Sequence, residues 1–242
     1  MRMNRFGVGV FSDQPVGPPV DPHPARRPER TTLAGRCVTL VPLDADRHAD
    51  ALFPLANGGE RDRLWTYLFD GPYADPAAFK AAIAARAKGD DPLFFAVVDN
   101  ASGAPVGFQS LMRIDPIHRV IEVGGILYTP PLQRTIGATE AQYLLAAYAF
   151  DTLGYRRYEW KCNDLNAPSK RAAQRLGFTF EGVFRQHLVA KGRNRDTAWF
   201  SMLDSEWPLR RAAFERWLAP GNFDASGRQR VSLASLNSAL GA

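Results

Sequence analysis

The sequence lacks long apolar runs and has few cysteines. None of its apolar stretches is long enough to cross a bilayer, and 45% of its 242 residues are hydrophobic and 23% charged. This composition predicts a soluble globular protein rather than a membrane, fibrous or disordered one. The two cysteines, Cys37 and Cys162, form neither a disulfide framework nor a zinc quartet. No apolar segment follows Arg2 and Arg5, so no secretory signal is predicted and the cytoplasm is the expected location.

Most catalytic signatures are missing as well. The chain has no GxxxxGK[ST] loop and no HExxH, CxxC or GxSxG motif, and its four histidines are scattered, so no metal site is predicted. The net charge of +5 is mildly basic, but the basic residues are interspersed with acidic ones. Nucleic acid is therefore not an expected partner, whereas small anionic ligands remain open.

The chain divides into three parts by composition. Residues 1–35 are rich in proline and are expected to form an arm, and residues 219–242 to form a weakly ordered tail. Residues 36–218 alternate between strand and helix periodicity. Helices are predicted over 44–55, 75–88, 137–153, 166–176 and 206–218, and strands over 37–43, 93–98, 106–112, 120–128, 156–162, 179–189 and 197–203.

Two glycines interrupt an otherwise good strand. Gly124 and Gly125 predict a bulge that frees backbone groups, although a plain bend without a ligand is the alternative. The turn at residues 133–139 then leads into a helix, so its amides point outward at the positive end of the helix dipole. That arrangement suits a pyrophosphate, whereas glycine and threonine at such a place also serve as ordinary capping residues.

The motifs follow one another in an order that resembles a known protein family. The stretches EVGGILYTPPLQRTIGATEAQYLL, NAPSKRAAQRLGF and EGVFRQHLVAKGRNRDTAWFSM follow one another from residue 122 to residue 202. Together they resemble the GNAT superfamily of acyl-CoA-dependent N-acetyltransferases, and within it the ribosomal-protein N-terminal acetyltransferases. The resemblance covers about residues 36–208.

The resemblance implies a fold and a cofactor site. The fold is a single α/β domain with a mixed, bent sheet, in which the parallel strands 120–128 and 156–162 splay apart around the pantetheine arm of acetyl-CoA. Carried over by position, the expected contacts to pantetheine come from Leu127, Tyr128, Thr129 and Asn166, and those to the pyrophosphate from Arg134, Thr135, Ile136, Gly137, Ala138 and Thr139. Asn166 has a second reading as the N-cap of its helix.

Two side chains are candidates for proton transfer. Alternation places Glu122 on one strand face with Ile126 and Tyr128, a position that favours a cleft-facing general base, with a salt-bridged surface glutamate as the alternative. Many members of the superfamily carry a tyrosine acid seven residues after the asparagine, and here that residue is Ala173. Ser169 is the substitute that the ribosomal-protein branch implies, unless it only supports the helix cap.

The resemblance therefore implies transfer of an acetyl group from acetyl-CoA to a primary amine in a ternary complex. The acceptor is either a protein N-terminus or a small amine. A non-catalytic acyl-CoA-binding or sensing module and a ribosome-associated protein remain alternatives. No membrane partner is expected, and a splayed sheet with an exposed end favours a homodimer.

Overall fold

A single mixed sheet of eight strands forms the centre of the fold. The computed structural model describes residues 7–8 and 15–239. Residues Gly7–Val8 (β1) and Pro15–Val16 (β2) make a separate two-stranded ribbon. The large sheet has the order β3-β4-β5-β6-β7-β8-β10-β9. Its strands are Leu33–Ala34 (β3), Val38–Pro42 (β4), Leu93–Asp99 (β5), Pro105–Asp115 (β6), Val120–Tyr128 (β7), Arg157–Asn163 (β8), Thr179–Ala190 (β9) and Arg193–Leu203 (β10).

Six α-helices cover the two faces of this sheet. They are Ala45–Ala56 (α1), Pro76–Lys88 (α2), Ile136–Ala147 (α3), Ala167–Leu176 (α4), Trp207–Leu218 (α5) and Leu233–Ala239 (α6). A π-helical turn, Tyr148–Thr152, extends α3, and a 3-10 segment, Gly59–Trp65, follows α1. The predicted α/β fold is confirmed, and each predicted helix and strand has a counterpart in the structure.

The helices divide between two apolar clusters, one on each face. The larger cluster joins α3, α4, α5 and α6 to the sheet, and the smaller one joins α1, α2 and the 3-10 segment to its other face. A buried carboxylate fastens the hairpin between β3 and β4 to α3, because Glu140 accepts backbone N–H groups from Arg36, Cys37 and Val38 at 3.0, 2.6 and 2.9 Å. These three hydrogen bonds join the edge of the sheet to α3.

β7 and β8 are the only parallel neighbours in the described sheet. Their pairing runs from Val120–Arg157 to Val123–Trp160 and then stops, although both strands continue. At that point β7 shifts register against β6, so the predicted bulge is confirmed. Gly125 has φ +57°, and a Cβ there would lie 2.9 Å from the Phe94 ring. Glycine is therefore needed where β7 turns away from β8.

Both predicted domain boundaries need correction. The N-terminal arm joins the fold well before residue 36, because Ala25 N–H donates to Pro116 at 3.0 Å and β3 extends the sheet. Residues 1–6 and 9–14 of that arm lie outside the described residues. The tail is likewise packed, since Leu233 and Leu236 of α6 are buried in the main cluster and Asn237 donates to Arg175 O at 3.0 Å. Two leucines one helical turn apart were too short a pattern to predict this docking.

Candidate active site

The splayed strands open a large cleft. It has a volume of about 1500 Å³ and runs from the segment 63–70 past β7 and the start of α3 to β8, α4 and β10. Most of the residues proposed from the sequence line it. They are Glu122, Leu127, Tyr128, Arg134, Thr135, Ile136, Ala138, Thr139, Asn166 and Ser169.

Backbone donors gather at one end of the cleft, where α3 begins. Thr135 is the N-cap, and its hydroxyl accepts the amide of Ala138 at 3.1 Å. Within the described part of the chain, no hydrogen bond uses the amides of Arg134, Ile136 and Gly137. Arg134 has φ +61°, a left-handed backbone that is uncommon outside glycine and often marks functional turns. The helix dipole adds to these donors, so the turn is suited to an anion.

Thr129 and Gly137 occupy different positions from those expected. Thr129 is fully buried, and both its amide and its hydroxyl donate to Val106 O. Its carbonyl accepts the amides of Leu132 and Gln133 at 2.9 and 3.1 Å, so the backbone groups that Thr129 is predicted to offer to pantetheine already have partners within the protein. Gly137 faces β4, where a Cβ would lie 2.7 Å from Val38 Cγ1. The lack of a side chain at Gly137 therefore serves core packing rather than space for phosphates.

Tyr128 has hydrogen-bond partners inside the protein, and its carbonyl accepts the side-chain amide of Gln133 at 2.8 Å. The hydroxyl donates to Gln109 Oε1 at 2.6 Å and accepts Gln142 Nε2 at 2.7 Å, in a buried network below the cleft. Burial raises the pKa of Tyr128 above its ordinary value. This hydroxyl is therefore held neutral and occupied, which leaves it without a part in proton transfer.

Glu122 is a buried carboxylate inside the cleft. Its residue surface is only 4% exposed, and Oε2 lies 2.9 Å from Lys161 Nζ and 3.0 Å from Arg113 Nε. Burial raises the pKa of Glu122 above its ordinary value, although Lys161 and Arg113 act in the opposite direction. Because burial outweighs these two cations, the carboxylate of Glu122 is a stronger proton acceptor than an exposed glutamate.

Lys161 is a feature that strand alternation does not reveal. The charged face of β8 is buried, and Lys161 Nζ lies 2.7 Å from Glu159 Oε2 as well as close to Glu122. It also sits 3.7 Å from the centre of the Trp199 ring. Glu159 continues the network through Arg157, at 2.7 Å. Alternation of charged and apolar residues looks the same for a solvated face and for an internal ion network, so only the tertiary structure separates them.

The start of α4 supplies the opposite wall of the cleft. Asn166 is the N-cap, and its Oδ1 accepts the amide of Ser169 at 3.2 Å. Ser169 Oγ accepts the indole N–H of Trp160 at 3.0 Å, so its own proton is available to another acceptor. Ala173 is fully buried and does not line the cleft. Ser169 is therefore the hydroxyl that α4 presents at this place.

Cys162 also lines the cleft, close to Ser169. Burial raises the pKa of its thiol above the ordinary value. A raised thiol pKa lowers the fraction of thiolate, which is the nucleophilic form. The environment of Cys162 is thus that of a structural cysteine.

Arg175 and the segment at the end of α5 add cleft residues that were not predicted, whereas Arg195 was open between a cleft-lining and a solvated position. Arg175 on α4 donates to Thr139 Oγ1 at 3.0 Å and lies 5.0 Å from the Trp217 ring. Phe223, beyond α5, stacks edge-on against Trp217 with centroids 5.1 Å apart. Arg195 on β10 lines the far part of the cleft. Their burial follows from contacts between distant elements, so no local pattern could have identified them.

The described residues contain neither a metal-binding cluster nor a membrane-spanning helix. No group of three or more histidine, cysteine, aspartate or glutamate side chains there could hold a metal ion. No helix within the same residues combines the length and apolarity needed to cross a membrane.

Parallel strands that part at a bulge, followed by an amide-rich helix start, give the arrangement that the resemblance to the GNAT superfamily implies. Comparison with known proteins agrees. The chain is 52% identical to a GCN5-related N-acetyltransferase from Brucella melitensis, with a TM-score of 0.87 over 89% of this chain and 98% of that one. A candidate GNAT-family acetyltransferase from Chromobacterium violaceum is 42% identical, with a TM-score of 0.72 over 79% of this chain and 100% of that one.

The family profile for the acetyltransferase (GNAT) domain matches residues 38–179, so the chain belongs to the GNAT family and is an N-acetyltransferase. A candidate ribosomal N-acetyltransferase of Bacillus subtilis, YdaF, is 30% identical over 105 residues. That stretch covers 43% of this chain and 57% of YdaF. The resemblance to the ribosomal-protein branch is thereby confirmed as a similarity.

Proposed function

We propose that the protein transfers an acetyl group from acetyl-CoA to the primary amine of an acceptor by direct attack. The observation that carries the proposal is that one cleft contains both the unused amides of Arg134 and Ile136 and the buried carboxylate of Glu122. The amides suit the pyrophosphate of acetyl-CoA. The carboxylate suits removal of a proton from an ammonium group.

The residues present fit acetyl-CoA in a second respect. Beyond Val123 and Trp160 the strands no longer pair, so backbone groups of Gly124 to Leu127 face the cleft. Such groups can bind the amides of a pantetheine arm, as a neighbouring strand would. Arg175, which has no carboxylate within 4 Å among the described residues, adds a positive charge near the start of α3. Acetyl-CoA supplies the thioester, whose carbonyl carbon is the electrophile.

The chain's own groups divide the proton transfers between them. Glu122 accepts the proton of the acceptor's ammonium group, which leaves a neutral amine able to attack. Ser169 Oγ donates a proton to the departing thiolate and regains one through solvent from the attacking nitrogen, which loses its second proton as the tetrahedral intermediate collapses; Glu122 returns its proton to solvent. Its bond from Trp160 fixes the oxygen, and Asn166 fixes the helix start that carries it.

The acceptor is proposed to be a protein N-terminus or a small amine. A homodimer through β9 is proposed as well, because this edge strand exposes Phe180, Phe184 and Val189. Sedimentation velocity tests it: a monomer at all concentrations would contradict the dimer. A cytoplasmic location remains a prediction.

The proposed function is tested by binding and by turnover in the same preparation. Acetyl-CoA at a hundredfold excess over Kd should raise the free energy of unfolding by about 2.7 kcal/mol, seen as a higher Tm. Release of CoA thiol should require an added amine, and the amine should gain one acetyl group by mass. Binding without turnover on any amine would favour the sensing module, and no shift with millimolar acetyl-CoA would remove the cofactor assignment.

A further inference from the structure

Arg195 is a buried cation without a counter-ion. Its residue surface is 7% exposed, yet no carboxylate of the described residues lies within 4 Å of its guanidinium. Its Nε is buried without a hydrogen-bond partner, and its Cζ lies 4.8 Å from the centre of the Phe69 ring. Burial lowers the pKa of Arg195, which shows the same desolvation. An unpaired buried charge costs stability, so this position calls for an explanation beyond folding.

The other cations at this end of the cleft already have partners. Lys161 and Arg113 contact Glu122, and Arg86 pairs with Asp70. Arginine offers five donors in a planar fork that matches a carboxylate. The guanidinium of Arg195 therefore has free N–H donors, in a place where desolvation strengthens its hydrogen bonds to an anion.

Arg195 belongs to the end of the cleft where Glu122 lies. It follows the turn between β9 and β10, and Thr197, two residues on, pairs with Asn163 at the open end of β8. Burial has the largest effect on its pKa, and Cys162, Glu122 and Arg113 are close enough to act on that pKa as well. The aromatic ring beneath it comes from the segment 63–70 rather than from the α3 turn.

We propose that Arg195 binds a carboxylate that the acceptor carries close to its reacting amine. This inference rests on the proposed function and names its substrate class: acidic amine acceptors rather than polyamines. A polycationic acceptor would bring further positive charge beside Arg195 without pairing it. The carboxylate has two possible sources, the α-carboxylate of a free amino acid and an acidic side chain next to a peptide N-terminus.

Matched acceptors test the inference. One tripeptide amide has glutamate after its N-terminal residue and another has glutamine, and a free amino acid is compared with its amide. A polyamine completes the set. The wild-type protein should use the acidic member of at least one pair with a kcat/KM on the order of tenfold higher, mainly through KM. The pair that shows the difference identifies the source of the carboxylate.

Variants connect that preference to the side chain. Arg195→Gln should reduce the preference to about unity while acetyl-CoA binding, followed by calorimetry, is unchanged. Arg195→Lys should restore part of it. Arg193→Gln is the matched control, because Arg193 is an exposed arginine on the same strand and lies outside the cleft lining. The Tm of Arg195→Gln should stay level or rise, whereas a structural role would lower it.

Failures of the two proposals are distinguishable. If no amine accepts an acetyl group, the proposed function fails. If neutral acceptors or the polyamine equal or exceed the acidic ones, or if Arg195→Gln keeps the wild-type preference, the inference fails and acetyl transfer stands.

Discussion

Replacing Glu122 by glutamine should abolish most activity while acetyl-CoA still binds in the cleft. Glutamine keeps the size of the side chain but accepts no proton from an ammonium group, so kcat/KM should fall on the order of a hundredfold or more near neutral pH. Wild-type activity should be lost as pH falls through the pKa of Glu122, because only the ionised carboxylate acts as a base. Since burial raises that pKa, this acid limb should lie above the ordinary value of 4.5. The deficit of the variant should shrink at high pH, where the amine arrives already deprotonated.

Glu159→Gln is the matched control for this prediction. Glu159 is also buried and also contacts Lys161, at 2.7 Å, but it does not line the cleft. The control should retain most activity, and its acid limb should move to lower pH, because the charge of Glu159 raises the pKa of Glu122. Steady-state thiol release from pH 5 to 10 measures both profiles, with circular dichroism to confirm folding. Equal losses in the two variants would refute the base assignment, since the effect would then belong to the ion network.

Three other positions give independent predictions. Ser169→Ala should lower kcat, and it should also cost about 1–3 kcal/mol of stability because the indole N–H of Trp160 loses its acceptor. In the Trp160→Phe background the stability cost should vanish while the decrease in kcat remains. If the decrease in kcat vanished there as well, the serine would have only a structural role. Gly137→Val should lower Tm through its clash with Val38, and weaker acetyl-CoA binding at unchanged Tm would contradict the packing role. Leu236→Ala should cost about 2–5 kcal/mol in chemical denaturation, and a neutral result would mean that α6 is not docked.

Local sequence patterns predicted the structural features that depend only on neighbouring residues, such as helix caps and the bulge. Asp44, Asp75 and Asn166 each cap the helix that was expected to follow them, and the paired glycines in β7 mark the bulge. In these cases the physical cause lies within a few residues of the signal: a side-chain oxygen that accepts an amide, or a missing Cβ.

Contacts between distant segments could not be predicted in the same way. The sequence shows that Thr129 follows β7, but it does not show that the carbonyl of Val106 accepts the Thr129 amide. It shows Lys161 on a strand but not its position between two carboxylates. The position of Arg195 beside a turn fits a cleft-lining and a solvated side chain equally well, and the ring of Phe69 near its guanidinium comes from another part of the chain. Each of these features depends on which segments meet, which periodicity does not encode.

Direct transfer has one rival that the cleft itself offers, an acetyl group carried on Cys162. The high pKa of this buried thiol argues against it. The decisive measurement is a rapid-mix experiment in which the protein receives acetyl-CoA first and an amine acceptor later, with CoA thiol and intact protein mass followed together. The account predicts no thiol release and no gain in protein mass before the amine is added, and afterwards one acetylated amine for each thiol released. A burst of thiol with acetylated protein before the amine arrives would contradict it.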